Sequence, residues 1–314
     1  MPIRTRPARL LLILICLCVA QLCAGCGRSA GILEAQAARQ PLEYLGAWGA
    51  KGTDPGQIDD PSSIATNANG AVFLADAGSS YIQKFRPDGT PLLAFQEDAL
   101  RHPQCITVDS GGAIYVSDPQ RSSVFIFLPD GDRYREVRIR TRSGKDNLLS
   151  VAVGADGLIN VLDSDAGKVF TFTSRARLVR SWQVPGAQPG ADGPGPIAVG
   201  PDGSLYIAEP AANRVEKFSE EGRALGEIGF GANTGAGKLS RGFAVSFNGV
   251  FVMDEDGRML HVFSLEGQLE HNFDLAPQLG QGTRPPPALA AGDHNELLVL
   301  DAPGARVLRY RTNF

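Results

Sequence analysis

Ser62–Gly89 reads SSIATNANGAVFLADAGSSYIQKFRPDG. A short apolar run, an Asn-Gly turn and a second apolar run ending in Asp76 come first. A four-residue gap, an alternating run ending in Phe85 and a Pro-Asp-Gly turn follow. The same order recurs along the chain. Taking the closing acid as reference gives Asp76, Asp118, Asp163, Glu209, Asp254 and Asp301, spaced 42, 45, 46, 45 and 47 residues apart. Apolar residues stand two and four positions before each acid, as in Leu74/Val72 and Val299/Leu297. An aromatic stands nine after it: Phe85, Phe127, Phe172, Phe218, Phe263 and Tyr310. With only 7% aromatic residues in the chain, six such coincidences mark a true repeat.

The runs within each copy are too short for helices and are split by turn residues. Asn69-Gly70, Gly111-Gly112, Asp156-Gly157, Asp202-Gly203 and Asn248-Gly249 join the first two runs, where a tight hairpin wants φ > 0. Asp88-Gly89, Asp130-Gly131, Glu221-Gly222 and Glu266-Gly267 close the third run and open a fourth. Four antiparallel strands repeated radially make a β-propeller blade, so the expected fold is all-β with six blades. Leu42–Gly49 (LEYLGAWG) precedes the first copy yet resembles Ala224–Gly231 (ALGEIGFG), the fourth strand of blade four. The last copy stops at Phe314 after its third strand. The N-terminal strand is therefore expected to complete the final blade and shut the ring, leaving no free edge and implying a monomeric domain at 42–314.

The segments ADAGSSYIQKF, AEPAANRVEKF and LDAPGARVLRY resemble the core of the NHL repeat, whose blades carry an acid, a gap of small residues, often an Arg, and then an apolar-x-x-aromatic strand. Arg stands at the motif position only in blades four and six (Arg214, Arg306). If acid and base pair within a blade, the other acids need different partners. One acid per blade at a strand end reads as a turn-stabilising acceptor.

Residues 1–25 read as an export signal, with Arg4, Arg6 and Arg9 ahead of an apolar core from Leu10 to Ala20 that is too short to span a bilayer. Leu22-Cys23-Ala24-Gly25-Cys26 resembles a bacterial lipobox, which implies lipidation of Cys26. The departure from that pattern is Cys23 where Leu is usual. Residues 26–41 then form the lipidated Cys and a tether, and Gly27 after the acceptor points to outer-membrane sorting. Cys105 is the one remaining thiol of the exported domain, expected to be a small buried hydrophobe in an innermost strand. Removing the signal takes three Arg and no acid, leaving 27 bases against 34 acids, a net charge of −7. Such a balance argues against nucleic-acid binding. Arg138, Arg140 and Arg142 are a local exception, readable as an anion-binding patch or as a solvated outer edge.

Aligning the copies on the hairpin glycine puts Ile64, Ile106, Val151, Ile197 and Phe243 in register on the innermost strands, with Leu289 as the sixth. Residues two and four positions earlier face the channel mouth, where such rings place ligands. Asp60, His102, Gln104, Asn147 and Arg241 are the candidate recognition residues there, suited to a protein, peptide or glycan of the envelope. The resemblance also implies an enzymatic alternative, because some NHL-type propellers are zinc lyases and related six-bladed lactonases bind calcium. Of the four histidines only His102 has a mouth position, so a three-His zinc site is not expected. Calcium would find Asp60 and Asn147, assisted by Asp59. No G-x-S-x-G elbow and no phosphate-binding loop is present, and no cofactor is called for.

Overall fold

The computed structural model describes residues 40–140, 149–187, 193–230, 238–279, 288–292 and 294–314. Cys26, the tether up to residue 39, Asn147 and Arg142 fall outside these residues, as does the side chain of Arg241. Tyr44–Thr312 is the main unit. Gln40–Glu43 with Asn313 and Phe314 form a small unit of their own, in which the Asn313 backbone N–H donates to Pro41 O at 2.8 Å and its side-chain amide to Gln40 O at 2.9 Å.

Six four-stranded antiparallel sheets form a six-bladed β-propeller. Blade one is Pro61–Thr66, Val72–Asp76, Tyr81–Phe85 and Pro91–Phe95, and its order in space equals its order in sequence. The last blade departs from that rule. Its inner three strands are Ala288–Ala291, Glu296–Asp301 and Arg306–Thr312, and its outer strand is the N-terminal Leu42–Trp48. Among the described residues the only helical pieces are single turns at Pro119–Arg121 and Pro210–Ala212.

The register follows the repeat. Ile64, Ile106, Val151, Ile197, Phe243 and Leu289 each pair with the residue two before the repeat acid: Leu74, Val116, Val161, Ile207, Val252 and Val299. Successive side chains alternate faces, so each sheet is apolar on both sides and packs between two neighbours. In blade one Val72, Leu74 and Phe85 pack back onto Leu298 and Leu300 of blade six, while Phe73, Ala75 and Ile82 pack forward onto Ile114 and Phe127 of blade two. All six repeat aromatics are at most 6% exposed. Burying a side chain of that size contributes on the order of 2–3 kcal/mol, which is why the position recurs.

The first hairpins differ from expectation in turn type. Asn69 keeps negative φ and only Gly70 (φ 74°) enters the left-handed region. Gly70 N bonds back to Asn67 O while Asn67 N bonds to Ala71 O, which makes a longer turn closed by a left-handed glycine. Asn67 Oδ1 stiffens it by accepting from Asn69 N and Ala71 N.

Outer strands clasp the next blade. Trp48 packs on Phe85 with ring centroids 4.8 Å apart, Phe95 on Phe127 at 5.0 Å and Trp182 on Phe218 at 5.0 Å. Each of these rings also lies over the glycine of the next blade's third turn: Gly89, Gly131 and Gly222 have no room for a Cβ beneath Trp48, Phe95 and Trp182. Ile228 occupies the same place over Gly267. Trp48 thus takes the place of Ile228 over the turn glycine, while its ring contact with the repeat aromatic is matched two residues on by Phe230, 5.2 Å from Phe263.

Candidate functional site: the channel and its mouth

The six innermost strands surround a central cavity of about 360 Å³. Its wall is mostly aliphatic, with Ala65, Ala152, Ala198, Ala244 and Ala290 at one level. Small side chains suit that level because six strands converge there.

Polar groups in the wall hold blades together. Ser63 and Ser150 stand one residue ahead of Ile64 and Val151, and their Oγ atoms accept from the backbone N–H of the next blade's innermost strand, Ile106 at 3.2 Å and Ile197 at 3.1 Å. Cys105 holds the same position in blade two; its Sγ lies 3.7 Å from Val151 O and 3.8 Å from Ser150 Oγ. Cys105 is half-buried in the channel wall, where desolvation pushes its thiol up from the ordinary value. Ser62 Oγ donates to Pro103 O at 2.7 Å. Sequence reading missed the two serines as stitching residues, although their shared register with Cys105 was a visible signal.

The mouth loops rest on the repeat acids. Asp76 is fully buried and accepts four backbone N–H groups, from Asp59 (2.8 Å), Asp60 (3.0 Å), Gly78 (3.1 Å) and Ser79 (3.3 Å). Asp118, equally buried, accepts from Arg101 (2.5 Å), His102 (3.2 Å) and Arg121 (3.3 Å). In blades four and six the motif Arg supplies the partner. Arg214 Nε donates to Glu209 at 2.6 Å and Arg306 Nε to Asp301 at 2.8 Å. The question raised by the scarce motif Arg is answered: where it is missing, backbone donors take its place. A carboxylate with several N–H donors tolerates burial that an unpaired charge would not.

Of the candidate recognition residues, Asp60 and His102 have exposed side chains on loops two residues ahead of the cavity's first lining residues, Ser62 and Gln104. Gln104 lines the cavity, but its Oε1 accepts from Leu149 N at 2.9 Å and so joins blades two and three. The side chains of Asn147 and Arg241 lie outside the described residues.

Neither metal arrangement is assembled by the described residues. Among them no group of three His, Cys, Asp or Glu converges. His261 is buried within blade five, its Nδ1 2.7 Å from Asn272 Oδ1 and its ring edge-on to Phe230. His271 is on the outer strand of that blade and His294 is at a hairpin of blade six.

No family model and no curated protein matches the sequence. Solved structures do match in shape. A streptogramin B lyase is 17% identical, with a TM-score of 0.62 and 87% of each chain covered. A catalytically inactive virginiamycin B lyase from Staphylococcus aureus with quinupristin is 17% identical, with a TM-score of 0.61 and 87% of this chain and 85% of that one covered. A Bacteroides thetaiotaomicron protein of unknown function is 14% identical, with a TM-score of 0.62 over 81% and 70% of the two chains. At such identities the likeness carries architecture alone. The chain is a six-bladed β-propeller.

Proposed function

We propose that this chain is an NHL-type propeller, exported and held at the bacterial envelope by a lipid on Cys26, that binds a protein, peptide or glycan through the face carrying Asp60 and His102. One observation carries the reading. The buried carboxylates of Asp76 and Asp118 hold the backbone N–H groups of Asp60 and His102 themselves, while the side chains of both residues stay in solvent. Loops fixed from beneath and polar at the tip are preorganised for recognition, because ordering them adds no cost on binding. The acidic balance keeps nucleic acid off the partner list.

The test of the face is a double substitution, Asp60→Ala with His102→Ala. Capture of the envelope partner should fall while the melting temperature stays put. Intact capture would refute the reading. The anchor has its own test: Cys26→Ser should release the protein from membranes without detergent, and continued detergent dependence would remove the lipid from the account.

A metal-dependent lactonase- or lyase-like role is the alternative. Its support is the likeness in fold to a streptogramin B lyase. The described donor set does not fit a calcium or zinc site, since Asp60 meets no second and third ligand among the described residues.

A further inference from the structure

The seam between blades two and three breaks the clasp pattern. The outer strand of blade two is Arg133–Arg138, and Val137, paired with Val124, occupies the register that Phe95 (on Ile82) and Trp182 (on Val169) hold in blades one and three. The opposing turn of blade three carries Ala176 (φ 62°) where the neighbouring blades carry Gly89, Gly131 and Gly222. Val137 and Ala176 both belong to the cluster around Phe170 and Phe172; blade two adds the Tyr115 ring from its second strand, and among the described residues its outer strand adds only the aliphatic Val137 and Ile139. A groove of about 750 Å³ is left, floored by Phe170, Phe172, Ala176 and Leu178 and bordered by Arg138 and Arg140. Its volume lies in the range of ligand sites.

Two further features say what would occupy it. Ile139 N donates to Ser122 O inside the blade, and the alternation of an antiparallel strand then turns the backbone groups of Glu136, Arg138 and Arg140 outward along the groove. An extended chain can add to such an edge. The charge there opposes that of the whole. In a chain of net −4, the groove border carries Arg138, 80% exposed in its side chain, and exposed Arg140, with Lys168 Nζ 5.2 Å above the Phe170 ring. The one acid, Glu136, is already paired with Arg133 and Arg138.

The geometry points to a second binding site: an edge-strand groove between blades two and three that takes an acidic peptide segment of a partner protein, with an aromatic side chain seated over Phe172 and Ala176 in the place that Trp48, Phe95 and Trp182 fill at three other seams. Asp or Glu beside that anchor pairs with Arg138 and Arg140.

The probe is a random-peptide phage library panned against the full chain, followed by fluorescence anisotropy of the enriched peptides. Enriched sequences should carry Trp, Phe or Tyr flanked by Asp or Glu. Val137→Trp with Ala176→Gly installs the pattern of the other seams and should weaken binding about tenfold or more. Arg138→Glu with Arg140→Glu should do the same through charge, and this exposed pair carries the test if the first variant does not fold. Failure to enrich any peptide, enrichment of peptides without aromatic and acid, or unchanged affinity in the arginine variant would overturn the proposal. Arginine-dependent binding of phosphatidylglycerol vesicles without peptide enrichment would assign the groove to a lipid surface instead. Concentration-dependent self-association abolished by the same variants would assign it to a second copy.

Discussion

Replacing Gly89 with Ala tests how the ring closes. Gly89 has φ 88°, so any side chain there pays the left-handed penalty of about 1–2 kcal/mol. Gly157, in the first hairpin of blade three, has φ 75° and open space around an added Cβ, so Gly157→Ala measures that penalty alone. At Gly89 the new methyl would also collide with Cγ, Cδ2 and Cβ of Trp48. Overpacking of that kind adds about 1–3 kcal/mol. Gly89→Ala should therefore cost about 2–5 kcal/mol in total, against about 1–2 at Gly157. Trp48→Ala removes Cγ and Cδ2, the two nearest of these atoms, and the double variant Trp48→Ala/Gly89→Ala should recover about 1–3 kcal/mol relative to the sum of the singles. Urea unfolding of the four proteins, read as midpoint shifts at constant slope, supplies the cycle. Equal costs at Gly89 and Gly157 with no coupling to Trp48 would mean that the N-terminal strand does not lie over blade one. The closure of the ring would then need another explanation.

Three other outcomes follow from the same contacts. Glu209 is 6% exposed and accepts from Arg214 Nε at 2.6 Å, whereas Asp301 keeps Gly304 N when Arg306 is lost. Arg214→Ala should thus cost about 3 kcal/mol, and more than Arg306→Ala, by the same urea assay. The Glu216 carboxyl is raised from its ordinary value by burial, with Arg214 pulling it down and Glu209 and Glu227 pushing it further up. A raised acid favours the fold while protonated and opposes it as pH climbs, so Glu216→Gln should raise the melting temperature near neutral pH and the gain should vanish below the ordinary glutamate value of 4.5. A lower melting temperature at neutral pH would contradict that sign. The Cys105 thiol, pushed up by desolvation, should react with iodoacetamide more slowly than a free thiol alongside it at mildly alkaline pH, and faster reaction would place it in a polar, accessible setting.

Much of this architecture is legible because a propeller repeats its mistakes as well as its successes. The acid at one position and the aromatic nine residues later set strand boundaries and cross-strand register, and Ile64 against Leu74 recurs as Leu289 against Val299. Closure by Leu42–Trp48 was readable from its likeness to a fourth strand, though Trp48 combines the place of Ile228 over the turn glycine with the contact Phe230 makes to the repeat aromatic. The mouth was readable only in part. Asp60 and His102 could be placed by counting back from the hairpin glycine, but the engagement of Gln104 with Leu149 depends on how far one blade sits along the next, which no single-blade pattern encodes. The clasp breaks at Val137 and Ala176 in plain letters. Its meaning needs the neighbouring seams, where Trp182 lies over Gly222, to show what is missing.

The most direct test of the account is photocrosslinking from the two ends of the channel in intact cells. A benzoylphenylalanine placed at His102 reports on the mouth, and one placed at Asp156, in the first hairpin of blade three at the other end, reports on the opposite face. The account predicts a discrete crosslinked species from His102, lost when Asp60 is also changed to Ala, and none from Asp156. The same species from Asp156 and none from His102 would contradict it and move recognition to the other face of the ring.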